Sequence, residues 1–170
     1  IYNGGFLIYD GVNSIEIYTG EQIMDSQVSI GDEIQTVGYK SAYHTLPQLV
    51  NLQMLEVVST GNNASLPVTT DMTPLYITAL DSTDDSIHGK VYEITGTVAI
   101  GGVYDNVFIN DVDTDDSIMI YYQGPKESIN ELETYADQTV TIKVIYYTDH
   151  ASDGVMVVYQ NGSGGITPKN

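Results

Sequence analysis

The residues best placed to do chemistry are acids. Residues 111–116, "DVDTDD", set Asp111, Asp113 and Asp115 at the alternating positions from which a calcium loop supplies its first oxygens. The match then degrades. Asp116 stands where such a loop needs a glycine for its sharp turn, and Tyr122 stands where it needs a bidentate glutamate. The run reads as a solvated hairpin turn, with low-affinity calcium binding as the alternative. "DSTDD", 81–85, reads likewise as a turn or helix end. His44, His88 and His150 are the imidazoles, and no two of them have the spacing of a zinc-binding helix. Asp149, His150 and Asp153 cluster in one short stretch that reads as a polar loop. There is no nucleophile elbow, nor the separated Glu, Asp, Asn and His motifs of metal nucleases. The chain therefore reads as non-catalytic and, calcium aside, without a cofactor.

Charge narrows the partners. Twenty-three acids stand against five lysines and no arginine, a net charge of −18. Nucleic acids are normally gripped by clusters of Lys and Arg, so double-stranded nucleic acid is a poor ligand and single-stranded nucleic acid a difficult one. Anionic membrane surfaces are disfavoured for the same reason. No run approaches the roughly 20 apolar residues of a membrane helix, so no membrane insertion is expected. There is no cysteine, which removes disulfides and thiolate chemistry. Fourteen tyrosines against two phenylalanines and no tryptophan, among many β-branched residues, favour strands.

The elements that must position these residues show mostly period-two alternation. In "GFLIYDG", Phe6 and Ile8 share one face and Leu7 and Tyr9 the other. In "SIEIYTG", Ile15 and Ile17 oppose Glu16 and Tyr18, and Asp10-Gly11-Val12-Asn13 between them is a turn. "EIQTVGYKSAY" reads as a strand bent or bulged near Gly38, "HTLPQLVN" as a loop or edge segment, and "LQMLEVVST" as a strand. Residues 61–72 lose all periodicity and read as a linker. Thr73 and Pro74 open a short helix. "KVYEITGTVAI" places Tyr92, Ile94, Val98 and Ile100 on one face, with Gly96 allowing a sharp bend. A hairpin follows at 103–122. "ESINELETYAD", 127–137, is a helix candidate with Ile129, Leu132 and Ala136 on one stripe and Ser128 and Glu131 spaced as a capping box. "QTVTIKVIYY" turns Val140, Ile142, Val144 and Tyr146 inward, and "VMVVYQ" is the last strand.

The order strand, strand, strand, helix, strand, strand is that of a five-stranded Greek-key barrel. Parts of it recur: "GG…SI.IY.G" returns as "GG…SIMIYYQG", and "IGDEIQTVGY" is echoed by "YADQTVTIKVIY". The expected fold is mainly β, with two such barrels in tandem. Residues 1–60 make the first, lacking most of its first strand, of which Ile1 and Tyr2 are the last residues. Residues 61–72 link it to the second at 73–162, which carries the short helix, and 163–170 form a tail. The expectation is that the sequence is a fragment of a longer protein, or that another chain or the region after Val157 supplies the first strand.

"GGFLIYDGVNSIEIYTG…IGDEIQTVGYKSAYHTLPQLVN" resembles the OB-fold modules of secreted bacterial proteins, notably those attached to extracellular nucleases. Gly31, Asp32, Gly38, Tyr43, Gln48 and Leu49 carry the resemblance. It implies an OB fold, an extracellular or cell-surface location, and adjacent domains of a longer chain as partners. OB-folds bind along their second and third strands and the flanking loops. That face carries Leu7, Tyr9 and Tyr18 in the first unit and Phe108, Met119 and Tyr121 in the second. Aromatic side chains there suit stacking on bases or sugar rings; the alternative is that they pack the units on each other. The leading reading is an accessory module that targets a neighbouring nuclease or binds an extended polymer, with oligosaccharide or protein electrostatically easier than single-stranded nucleic acid. The competing reading is a structural spacer or adhesion-type repeat with no ligand.

Overall fold

The computed structural model describes residues 5–19, 28–62, 68–121, 131–150, 154–158 and 166–169. Ile1, Tyr2, Tyr122, Ser128, Ile129 and Asp153, which entered the sequence reading, lie outside them.

β1 (Gly5–Tyr9) and β2 (Ser14–Tyr18) form an antiparallel hairpin. Its turn is closed by Asp10, whose Oδ1 accepts the N–H of Asn13 at 2.7 Å and of Val12 at 2.9 Å. Those two donors hold the Asp10 carboxyl below the usual carboxylate range. β3 (Glu33–Tyr43) and β4 (Leu46–Ser59) form a second, long hairpin. "HTLPQLVN", expected as a loop, is mostly strand: only His44 and Thr45 turn. Pro47 is tolerated because it pairs with Ala42 just ahead of Gln48, where β4 begins its second ladder, to β2. The bulge expected near Gly38 is present as a register shift between Val37 and Tyr39. A Cβ on Gly38 would lie 2.9 Å from Leu49 Cγ, Leu52 Cδ2 and Val50 O, so only glycine lets the strands approach this closely. The four strands make one sheet in the order β1-β2-β4-β3, with β2 and β4 parallel.

β5 (Val68–Met72) lies in the stretch expected to be linker. It is an exposed edge strand, broken by a register shift and by Asp71 at φ +59°, which erases the alternation a sequence reading needs. α1 (Pro74–Thr78) is capped as expected: Thr73 Oγ1 accepts the Tyr76 N–H at 3.2 Å, and Pro74 opens the first turn. β6 (Val91–Gly101), β7 (Asn106–Asn110), β8 (Ser117–Tyr121), β9 (Thr139–His150) and β10 (Gly154–Val158) then close a five-stranded barrel in the order β6-β7-β8-β10-β9 and back to β6. β11 (Thr167–Pro168) adds to the outside of β9. β6 serves both neighbours: Val91–Thr97 pairs with β9 and Thr97–Gly101 with β7. Gly96 sits at the crossover, where a Cβ would stand 2.5 Å from Asn110 O and Ile109 Cγ2.

The barrel interior follows the alternation. Val140, Ile142, Val144 and Tyr146 are all buried, as are Tyr92, Ile94 and Val98. Ile100, expected on the same face, is exposed, because it lies at the far end of β6. Ile77 of α1 and Leu132 also enter this core. Of the helix expected over 127–137, residues 127–130 lie outside the described residues, and the described part holds a short 3-10 segment, Glu131–Tyr135. Two residues past its end, Asp137 (φ +63°) donates its N–H to Val98 O, while Val98 N–H donates to Gln138 O.

The four-stranded sheet and the barrel share a plan. Order and strand directions in β1-β2-β4-β3 match β7-β8-β10-β9. β2 is "SIEIY" and β8 is "SIMIY". Tyr9 pairs with Ser14 as Asn110 pairs with Ser117, and Glu16 pairs with Gln48 as Met119 pairs with Met156. Among the described residues the sheet has no counterpart of β6, and it is open rather than a closed barrel.

Candidate functional site: the face between sheet and barrel

Alternation gives each hairpin an outer face. On the barrel it presents Phe108, Met119, Tyr121 and Met156; on the sheet, Leu7, Glu16 and Gln48. These faces are turned on each other. Met119, Met156, Tyr147 and Leu46 are buried together, with Leu7, Phe108 and Tyr121 packed around them. Tyr121 stacks on Tyr147 at 5.3 Å and an interplanar angle of 10°.

A polar group is set into this apolar layer. Glu16 is fully buried. Its Oε2 accepts from Gln48 Nε2, and its Oε1 accepts from the Tyr147 hydroxyl at 3.4 Å. Burial pushes the Glu16 carboxyl up, and the two donors only partly oppose that. Burial likewise pushes the hydroxyls of Tyr147 and Tyr121 up, with Glu16 adding to both shifts.

A second set of bonds runs along one edge. Thr45 N–H donates to Thr148 Oγ1 at 3.1 Å, the two hydroxyls lie 3.0 Å apart, and Asp149 N–H donates to Thr45 Oγ1 at 2.9 Å. Thr148 Oγ1 also donates to Tyr43 O at 3.3 Å. His44 and His150 meet beside them with ring centres 3.9 Å apart. At the hairpin end, Gly89 (φ +70°) lies so close to Ser14 that a Cβ would fall 2.3 Å from its Oγ.

The structure thus brings together Leu7, Phe108, Met119 and Tyr121, but as packing between the two units and not as an open face. Tyr9 and Tyr18 remain exposed. The Tyr9 hydroxyl donates to Gly11 O at 2.7 Å, within its own turn. Glu16, Gln48 and Tyr147 were missed as a set. Glu16, on the same face as Tyr18 in an otherwise apolar strand, is the available signal.

In the acidic loop, Asp111 is a carboxylate engaged by the fold. Asp111 Oδ1 accepts the Asp113 N–H at 2.9 Å and Oδ2 the Leu75 N–H at 3.2 Å, so this carboxylate ties the β7–β8 loop to the first turn of α1. These N–H donors, Asp113 first, hold its carboxyl below the usual range. Asp113 and Asp115 are exposed. Among the described residues no group of three or more His, Cys, Asp or Glu is placed to hold a metal ion. Asp81 closes its own turn through Thr83, and Asp84 does so through Ser86. His88 is buried with Nδ1 2.9 Å from Tyr147 O and Nε2 3.1 Å from Ser82 O. A singly protonated imidazole can donate to only one of those carbonyls. No helix of the described residues is long and apolar enough to cross a membrane.

No family model matches the chain, and no curated protein matches it. A solved structure of a murine DNA-binding protein bound to double-stranded DNA superposes with a TM-score of 0.36 at 10% identity, covering 98% of this chain and 91% of that one. A likeness of that size carries no argument about function.

Proposed function

We propose that the chain is a non-catalytic accessory module of a secreted or cell-surface bacterial protein, made of two OB-type units in tandem, and that its task is to hold a neighbouring domain on a stiff mount. The single observation behind this reading is the use made of the outer hairpin faces. An OB unit that binds a polymer needs that face open. Here Leu7, Phe108, Met119 and Tyr121 are spent on joining the units. A buried layer with its own hydrogen bonds makes a stiffer joint than a flexible linker does.

The second reading is binding of an extended polymer, supported by the exposed rings of Tyr9 and Tyr18. A neutral oligosaccharide or a protein suits a chain of net charge −18 better than single-stranded nucleic acid does. Titration of labelled single-stranded DNA and of neutral oligosaccharides, at low and moderate salt and with and without calcium, separates the two. The mount predicts no saturable binding to either. Saturable binding lost in Tyr9→Ala or Tyr18→Ala overturns it in favour of the second.

A further inference from the structure

We propose that His88 is held as a doubly protonated imidazolium, and that this buried cation is a pH-sensitive clamp on the joint between sheet and barrel. The ring belongs to residues 81–90, which lie between α1 and β6, and it is fully buried. Both of its nitrogens face backbone carbonyl oxygens: Nδ1 is 2.9 Å from Tyr147 O, and Nε2 is 3.1 Å from Ser82 O. A carbonyl oxygen only accepts. A neutral imidazole carries one N–H, so either tautomer turns a bare lone pair on one of the two oxygens. In a buried site that pairing repels and leaves the nitrogen unsatisfied. The imidazolium carries two N–H groups and satisfies both oxygens.

Burial by itself would strip the second proton. The surroundings oppose this with negative charge. The segment's own titratable groups are Asp81, Asp84 and Lys90. The Asp84 carboxyl is held low first by Ser86, and then by the charges of Lys90 and His88. From β9, Asp149 Oδ2 accepts the hydroxyl of Ser82, the residue whose carbonyl faces Nε2. Tyr146 of β9 sets its ring edge-on to His88 at 5.4 Å. Burial pushes the hydroxyls of Tyr146 and Tyr147 up, so both are neutral at neutral pH. Glu16 of β2 is reached through the Tyr147 hydroxyl. The whole chain carries a net charge of −18, which favours a cation at any site within it.

The clamp reaches the joint by two routes. Tyr147, whose carbonyl accepts from Nδ1, gives its hydroxyl to Glu16 of the sheet. Gly89, next to His88, donates its N–H to Tyr146 O at 2.9 Å and lies against Ser14 of the sheet. Loss of one ring proton removes one donor, frees residues 81–90 from β9 and lets the sheet shift on the barrel. A proton bound in the clamped state and released in the freed one stabilises the joint in acid, and that contribution fades as the pH rises through the ionisation of His88. The consequence for a stiff mount rests on that reading of function; the protonation of His88 does not.

Long-range proton–nitrogen correlation spectra of the nitrogen-labelled chain read both ring nitrogens directly. At pH 7 the expected spectrum shows Nδ1 and Nε2 of His88 both protonated. Amide exchange, expressed as protection factors, is then followed to higher pH. The reporters are Gly89 in the clamp and Thr45 and Asp149, whose amides donate across the joint. Their protection is expected to fall together, by about tenfold or more, as the His88 proton leaves. His88→Gln, which cannot offer two opposed N–H donors and a charge, should show the lowered protection at every pH. Both readings on the parent keep the test decisive should that variant fail to fold. Glu16 also gains charge as the pH rises, so the series is repeated in Glu16→Gln, where the loss should persist. An unprotonated ring nitrogen on His88 at pH 7 overturns the inference. So does a proton lost with no change at Thr45 and Asp149, or a loss of protection that vanishes in Glu16→Gln. The polymer titrations do not read His88, so failure of the clamp leaves the mount to be judged separately.

Discussion

The Tyr147 hydroxyl of the barrel donates to Glu16 Oε1 of the sheet across 3.4 Å, within an apolar layer that buries the carboxyl completely. Gln48 donates to the other oxygen. Two neutral donors incompletely replace the water that a carboxylate loses on burial. The Glu16 pKa is therefore raised in the folded state. An acid with a raised folded pKa gives its full stabilisation below the unfolded value and loses it as the pH climbs through the folded value. Glu16→Gln removes the charge, keeps an oxygen to accept from Gln48 and turns its amide N–H toward the Tyr147 hydroxyl oxygen, which can accept it. It is expected to melt higher than the parent at pH 7 by a few degrees, which corresponds to about 1 kcal/mol in a chain of this size. The advantage should shrink toward pH 4. Melting curves of both proteins between pH 4 and 8 check this, and a gap that widens on acidification would contradict it.

Asp111 has the opposite sign. Its carboxyl is held low, first by the Asp113 N–H and then by the Leu75 N–H. Its contribution is present above the unfolded carboxylate pKa and fades as the pH falls through the lowered folded value. Asp111→Ala is expected to destabilise by about 0.5–1 kcal/mol, the scale of a lost helix cap, at neutral pH and by less in strong acid. With its oxygens already committed to backbone donors, adding calcium is expected to leave the melting temperature of the parent unchanged. Calorimetry with and without millimolar calcium reads both effects, and a calcium-dependent rise lost in Asp111→Ala would show that the loop binds calcium.

Tyr121 and Tyr9 test how the outer face is used. Tyr121 stacks on Tyr147 within the layer joining the units, whereas Tyr9 is exposed. Truncation of a large, partly buried ring costs about 2–3 kcal/mol, somewhat under the cost in a full core. Tyr121→Ala should therefore lower the melting temperature by several degrees, and Tyr9→Ala by much less. Equal, small effects would remove the packing role of Tyr121.

The strands and the barrel interior were legible because Val140, Ile142, Val144 and Tyr146 alternate over a long run, and only one face of such a run can be inside. Gly96 and Gly38 announced their bends for a steric reason that the Cβ distances make plain. β5 was hidden because an exposed edge strand carries no alternation. "HTLPQLVN" misled because Pro47 argues against strand unless the missing N–H falls where no ladder needs it. The joint between the units was beyond reach: Glu16 alternates with Ile15 and Ile17 as a solvent residue would, and only the arrival of Tyr147, 131 residues later, makes it an interior one.

Tyr146 offers the sharpest test of the barrel core. Its ring is fully buried among the inward residues of β6 and β9, and His88 packs edge-on against it at 5.4 Å. Among the described residues its hydroxyl is the buried side-chain polar atom without a hydrogen-bond partner. Burial pushes its ionisation well above the ordinary tyrosine range, so the group is neutral at neutral pH. A neutral hydroxyl that loses water without gaining a partner costs about 1–3 kcal/mol, whereas the ring around it is favourable. Tyr146→Phe keeps the ring and removes the orphan oxygen. It is expected to match or exceed the parent in stability, by up to about 1 kcal/mol after the small void is counted. Tyr147→Phe, one residue on, deletes a hydroxyl that serves Glu16 and should destabilise instead. Paired denaturant titrations decide the matter: if Tyr146→Phe proves the more damaging of the two, the hydroxyl has a partner and the barrel interior is wetter than its apolar lining implies.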